Sequence, residues 1–216
     1  MTAARRVLIY GGEESPYHDF SVQGPWLARL AEEAGFEAEV TVDPAAFAPA
    51  RIKPFDLIAI LASAGSLAAA DEEALLNAVI GNPWGDTRAP KGLFGIHGAT
   101  VVSSGSGAYQ RMLGGRFLAH PPLGPFSVHV EARDHPVMSG VGDFEISDEL
   151  YTMEPLAPFD VLATASLAGF ARPLVWVRPY GLGRVCYCAL GHAIEQLEHE
   201  SVRRILRNGL EWVSTR

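Results

Sequence analysis

The feature that most constrains this chain is an alternation of two apolar patterns. Short, wholly apolar runs take turns with segments whose apolar residues recur at helical spacing. Residues 6–10 (Arg-Val-Leu-Ile-Tyr) end in Gly11 and Gly12, which reads as a buried strand followed by a loop. Val22, Trp26, Leu27, Leu30 and Ala34 then share one helical face, with Asp19 or Ser21 as the cap and Gly35 as the stop. Residues 37–42 alternate like a second strand. Residues 56–61 are a continuous apolar third, as a strand buried on both faces should be. Asp71 opens a helix to Ile80, residues 92–96 form a fourth strand, and a helix at 108–113 follows a Ser/Gly-rich loop. Strand alternating with helix means βαβ units, and so a mainly parallel sheet with helices on both faces.

After Gly115 the pattern changes. Residues 126–132, 144–146, 161–164, 174–177 and 184–190 read as strands joined by short Pro/Gly turns, which predicts an antiparallel extension. Residues 201–213 put Val202, Ile205, Leu206, Leu210 and Val213 on one face of a closing amphipathic helix. No linker, repeat or low-complexity tract interrupts the 216 residues, so positions 1–216 are read as one domain.

Charge and composition remove several function classes. The net charge is −8 and the 17 basic residues are scattered, so nucleic acid and anionic membrane are poor partners. No apolar window is long enough for a membrane span, and the N-terminus has no signal-peptide core. The expected location is the reducing cytoplasm. Cys186 and Cys188 lie two apart in a strand, on one face, as core thiols. No second cysteine pair completes a thiolate metal site. Neither GxGxxG nor GxxxxGK[ST] occurs, so nothing points to a bound nucleotide.

Ligands of open α/β sheets bind beyond the carboxyl ends of the strands. The segments there are 11–14 with His18, 62–65, His97 with Gly98, and Gly191 with His192. Gly95-Ile-His-Gly-Ala99 has the form of a sharp strand-to-helix turn, in which small neighbours let one side chain stand exposed as in a nucleophile elbow. Here that side chain is His97, a candidate general base, general acid or metal ligand. His192 ends a late strand in the same way, and Glu195 three residues on is placed to orient it. The candidate catalytic residues are therefore His97, His192 and Glu195. Glu13, His18, His120, Asp148, Glu149 and Tyr151 are candidates for binding substrate, and His18, His97 and His192 for holding a metal. Ser103, Ser104 and Ser106 lie in a loop that a polyol could touch. His135, between Asp134 and Pro136, reads as turn chemistry.

Several of these segments occur together in one known family. The segment 92–99, residues 113–117 with His120-Pro121, His135-Pro136, 148–151, and 180–184 leading to 190–192 resemble the ThuA-like trehalose-utilisation family in order and spacing. The resemblance spans nearly the whole chain. It implies a flavodoxin-like, class I glutamine amidotransferase-like three-layer sandwich, mainly parallel with a small antiparallel extension. In that superfamily a cysteine occupies the elbow. His97 stands there instead, so cysteine-dependent amidotransferase chemistry is not carried over. The resemblance further implies a role in sugar metabolism beside an NAD-dependent sugar oxidoreductase that makes 3-keto glycosides. The expected chemistry is acid/base isomerisation, epimerisation or elimination on a keto sugar or glycoside, with a divalent zinc or manganese ion as the candidate cofactor and a homo-oligomer as a candidate assembly. The alternative is a non-catalytic sugar-binding or regulatory protein on the same scaffold.

Overall fold

A computed structural model describes residues 4–61, 64–81, 90–103 and 105–215. The first half contains β1 (Arg5–Tyr10), α1 (Phe20–Glu33), β2 (Phe36–Thr41), the short α2 (Pro49–Ile52), β3 (Leu57–Ile60), α3 (Ala69–Ile80), β4 (Gly92–Ile96) and α4 (Gly107–Leu113). The second half contains β5 (Gly115–Ala119), β6 (Gly124–Val130), β7 (Phe144–Asp148), β8 (Thr152–Pro155), β9 (Asp160–Leu167), β10 (Phe170–Tyr180), β11 (Gly183–Cys188), α5 (Ile194–Leu197) and α6 (Glu200–Ser214).

Nine strands form one sheet in the order β2-β1-β3-β4-β11-β10-β9-β6-β7. The first five run parallel, as the βαβ alternation predicts. The last four continue the same sheet antiparallel. β5 and β8 pair as a separate two-stranded ribbon. The antiparallel part is thus nearly half of the main sheet, which corrects the expectation of a small extension. Its spine is the long β9–β10 hairpin. Ala168 (φ 52°) and Gly169 (φ 80°) both take the left-handed conformation at its tip, the geometry that a tight two-residue hairpin turn requires.

Most element ends lie within two residues of the expected ones. Asp19 caps α1, its carboxylate accepting from the Ser21 amide, and Gly35 follows with φ 82°. Asp71 lies in the first turn of α3, which begins earlier, at Ala69. There it favours the helix through the dipole.

Burial explains the rest of the architecture. β3 and β4 have every residue buried, as central strands covered on both faces must. A Cβ built on Gly95 would lie 2.9 Å from Leu113 of α4, and one on Gly209 of α6 would lie 2.6 Å from Phe94. Phe94 and Gly95 are neighbours in one strand and point oppositely, so α4 and α6 cover opposite faces. α1 packs beside α6, and α3 beside α4. Cys186 and Cys188 are free and fully buried in β11.

Gly92 opens β4 directly beneath the last turn of α6, and a Cβ there would run into the carbonyl oxygen of Val213. Backbone cannot yield as a side chain can. Gly92→Ala should therefore lower the unfolding free energy by about 1–3 kcal/mol, read as a lower urea midpoint at unchanged slope. An unchanged midpoint would mean that α6 does not seat on β4 as described.

Candidate active site

Each ligand-edge histidine arrives on its own loop. His97 follows β4 and is the first residue of a 3-10 turn, with φ 43°. A left-handed conformation at a non-glycine residue costs about 1–3 kcal/mol and persists only where its surroundings fix it. They do so here. Tyr187 of β11 donates its hydroxyl to the His97 carbonyl (2.7 Å), Tyr109 donates to that of Ala99 (2.9 Å), and the Gln110 amide reaches the carbonyls of Thr100 and Val102 (3.1 Å each). The sharp turn was legible in the sequence, but the expected exposure of its side chain is corrected. His97 is 1% exposed, because Tyr151, His18 and His192 pack against its ring at centroid distances of 4.4, 5.0 and 5.5 Å.

The His97 ring is fixed by its two nitrogens. Nδ1 donates to the carbonyl of Ala189 (2.7 Å). That leaves the Nε2 lone pair toward the cleft, 2.9 Å from the Tyr151 hydroxyl and 3.3 Å from Glu149 Oε2. The same carboxylate oxygen lies 3.2 Å from His192 Nδ1, and Glu149 Oε1 lies 3.5 Å from His120 Nε2. His18 stands against His192 at 4.8 Å between ring centroids, and neither of its buried ring nitrogens has a hydrogen-bond partner among the described residues. His18, His97, Glu149 and His192 each offer one ligand atom, and these atoms lie within 4.8 Å of one another.

The electrostatics follow from that crowding. Burial, reinforced by the neighbouring His97 and His192, holds the His18 pKa down to about 3, so this ring is neutral. For Glu149, burial pushes upward. The hydrogen bond with His97 and the fields of His192, His97 and His120 outweigh it and bring the carboxyl to about 2. Burial, helped by the nearby Tyr187, Glu149 and Asp148, raises Tyr151 well above the usual phenol range, so it remains a proton donor.

Asp148 has a different task from the one expected. It is 1% exposed and faces no ligand. Its carboxylate accepts from the amides of Gly191 (2.8 Å), Glu149 (2.8 Å) and His192 (3.4 Å), tying the end of β7 to the turn after β11. Glu195 is corrected too. It is exposed in α5, and no hydrogen bond or ion pair joins it to His192. The carboxylate beside His192 is Glu149. Ser103 and Ser106 serve the backbone rather than a polyol: Ser103 Oγ accepts from the Leu67 amide, and Ser106 caps α4. Ser104, and positions 62–63 of the loop after β3, lie outside the described residues. Glu13 is exposed and lines a cavity together with His18. His135 caps a 3-10 turn through Nδ1, as its turn context predicts.

Two contributors carried no sequence signal. Phe117 of the ribbon packs on Tyr151 at 4.6 Å, and Gln23 of α1 donates to the His192 carbonyl at 2.9 Å. Among the described residues, no helix is long and apolar enough to cross a membrane.

These features define an α/β protein with a mixed sheet whose parallel strands deliver a histidine–carboxylate cluster to one edge. A profile of the trehalose-utilisation family, ThuA, matches residues 6–213, and the chain belongs to that family. Solved structures agree on the fold. A ThuA-like protein from Parabacteroides merdae superimposes with a TM-score of 0.83 at 19% identity, covering 98% of this chain and 90% of that one. One from Bacteroides uniformis gives 0.81 at 20% identity, covering 99% and 93%. A β-galactosidase from the haloarchaeon Halorubrum lacusprofundi matches all of this chain with 31% of its own, with a TM-score of 0.65 at 14% identity. Comparison with curated proteins gives no match.

The neutral His18 makes a pH prediction. Its folded pKa, about 3, lies below the ordinary 6.5, so between these values the unfolded chain binds a proton that the folded chain does not. This contribution to stability is complete above pH 6.5 and declines as the pH falls toward 3. Glu149, depressed to about 2, likewise stabilises above the ordinary carboxylate range and loses that contribution on acidification. In chelator-treated protein, urea unfolding from about pH 7 to pH 4 should show His18→Gln losing stability less steeply than wild type, by a sizeable fraction of one proton per pH unit. Equal slopes would refute the buried neutral ring.

Proposed function

We propose that the chain is a sugar-metabolising enzyme in which His18, His97, His192 and Glu149 hold one divalent metal ion. The observation that carries this reading is the convergence of three imidazoles and one carboxylate within 4.8 Å. Several details fit such an ion. The Nε2 lone pair of His97 and the Glu149 carboxylate face each other at 3.3 Å, an arrangement that a cation relieves. The separations of 3.2 and 3.3 Å resemble those of adjacent ligand atoms that each lie about 2.1 Å from a common ion. His18 is already neutral, as a ligand must be, and the bond to Ala189 fixes the His97 tautomer. A set of nitrogen and carboxylate donors suits zinc or manganese.

The substrate class follows from the family role in carbohydrate metabolism together with this donor set. We take the substrate to be a keto sugar or keto glycoside, supplied by a class of reaction that oxidises a ring hydroxyl with a nicotinamide cofactor. A metal at this site would polarise the ketone. His120 is only half-buried, with one ring nitrogen near Glu149 Oε1, and it serves as the base that takes the proton from the carbon beside the carbonyl. The protonated Tyr151 donates to the oxygen on which charge develops. The enolate then recovers a proton at carbon, which gives isomerisation or epimerisation. Alternatively it expels the glycosidic oxygen from the next carbon, which leaves with a proton as the free alcohol. The order of the five parallel strands, β2-β1-β3-β4-β11, supports a flavodoxin-like, amidotransferase-like scaffold for this chemistry.

Two measurements test the proposal. The purified chain should contain about one equivalent of zinc or manganese, and His18→Ala or His192→Ala should weaken its retention at least about tenfold. Incubation with a 3-keto glycoside in heavy water should place deuterium beside the carbonyl. His120→Ala should slow that exchange by about 10²–10⁴-fold while keeping the metal, whereas His97→Ala should lose both. Exchange that is undiminished in both alanine variants would overturn the enzyme reading. If no keto sugar exchanges at all, a binding or regulatory role takes its place.

A further inference from the structure

Between the loop after β1 and the histidine cluster lies a cavity of about 910 Å³. That is near the upper end for small-molecule sites and larger than one pyranose ring needs. His18 lines it and also belongs to the cluster, so cavity and cluster are continuous. We propose that this cavity holds the second unit of an uncharged glycoside and selects against phosphorylated and carboxylated sugars. The inference rests on the sugar reading above and adds the class of substrate.

The lining has two characters. One wall is apolar and includes Tyr17, Val42 and Leu61. Tyr17 is 76% exposed and Val42 58%, so large apolar surface stands uncovered beside the site. The other wall carries Glu13 and Glu14, whose carboxylates make no hydrogen bond or ion pair with described residues. Gly65 (φ 89°) lies against the Glu13 side chain, and a Cβ there would come within 2.8 Å of Glu13 Cγ. The Gly65 carbonyl is held in turn by the Ser103 amide at 3.0 Å. The floor under Glu13 is thus fixed, and any larger residue would displace this acceptor. No lysine or arginine occurs among the described lining residues.

A pyranose has the same two characters. Its axial C–H face stacks on an aromatic ring, and its hydroxyl edge donates hydrogen bonds to carboxylates. A phosphate or uronate group would bring a negative charge toward Glu13 and Glu14 with no described cation to balance it.

The test is isothermal titration of the metal-loaded full chain with three unreactive probes: trehalose, trehalose 6-phosphate and methyl α-glucoside. Trehalose should bind more tightly than methyl α-glucoside, and its 6-phosphate about tenfold or more weaker than trehalose. Tyr17→Ala should weaken trehalose about fivefold and leave methyl α-glucoside unmoved. The double variant Glu13→Gln, Glu14→Gln should remove most of the discrimination against phosphate. All three side chains are exposed, so these variants should fold. Equal or tighter binding of the phosphate, indifference to Tyr17→Ala, or no heat with either neutral sugar up to about 10 mM would overturn the proposal. Metal content and deuterium exchange separate the two readings. If catalysis fails while these affinities hold, only the mechanism falls. If exchange survives while Tyr17, Glu13 and Glu14 prove indifferent, only this cavity assignment falls.

Discussion

The buried carboxylate of Asp148 holds the two halves of this protein in register at the site. β7 is the last strand of the antiparallel half, and the Gly191–His192 turn leaves the last strand of the parallel half. No strand pairing joins those two points. Three backbone amides converge on Asp148 instead. Burial raises the pKa of this carboxyl, while the field of His97 and the three amides pull the other way. Losing the carboxylate would strand buried N–H groups at about 1–3 kcal/mol each. Glu149 and His192, both anchored through their own amides, would lose their relative position.

The second constraint is the elbow. His97 adopts a conformation that few non-glycine residues tolerate, and every nearby carbonyl it exposes is met by a donor from β11 or α4. These donors are Tyr187, Tyr109 and Gln110, all essentially without solvent exposure. Strain of this kind is stable only over a rigid floor, which the wholly buried β4 and its glycines supply. Gly95 lets Leu113 and Tyr187 close against the strand. The core therefore determines where one imidazole points, and the loops from β1, β7 and β11 bring the rest of the cluster to it.

The parallel half was legible because its information is local. Continuous apolar runs mark β1, β3 and β4, and the rule that ligands sit beyond strand ends brought His18, His97 and His192 to one edge before any coordinates were consulted. The ribbon of β5 and β8 escaped notice because its strands of five and four residues carry no alternation, only a mixed run such as Gly-Arg-Phe-Leu-Ala. Glu195 attracted the orienting role by its closeness in sequence to His192. The carboxylate that fills that place, Glu149, comes from a distant segment, and only the long-range pairing of β6 with β7 and β9 delivers it. Asp148 and Glu149 look alike as adjacent acids. Near a strand end, neighbouring side chains point to opposite sides, so one is sealed in the core as a brace while the other faces the histidines.

That division explains how a net charge of −8 coexists with a site built from four histidines, including His120. Gathering several imidazoles around one buried point disfavours protonating any of them, as the depressed His18 shows. Glu149 supplies the single negative charge that the cluster can share, and the other buried acid, Asp148, is occupied by backbone. The cluster is therefore rich in neutral lone pairs and poor in fixed charge. Such an environment favours a cation at its centre and a polarisable, uncharged molecule above it. The acidic mouth formed by Glu13 and Glu14 points the same way, because it leaves hydroxyl-bearing ligands welcome and anions opposed. Core geometry, loop chemistry and surface charge agree on one class of ligand, although each is specified by a different part of the chain.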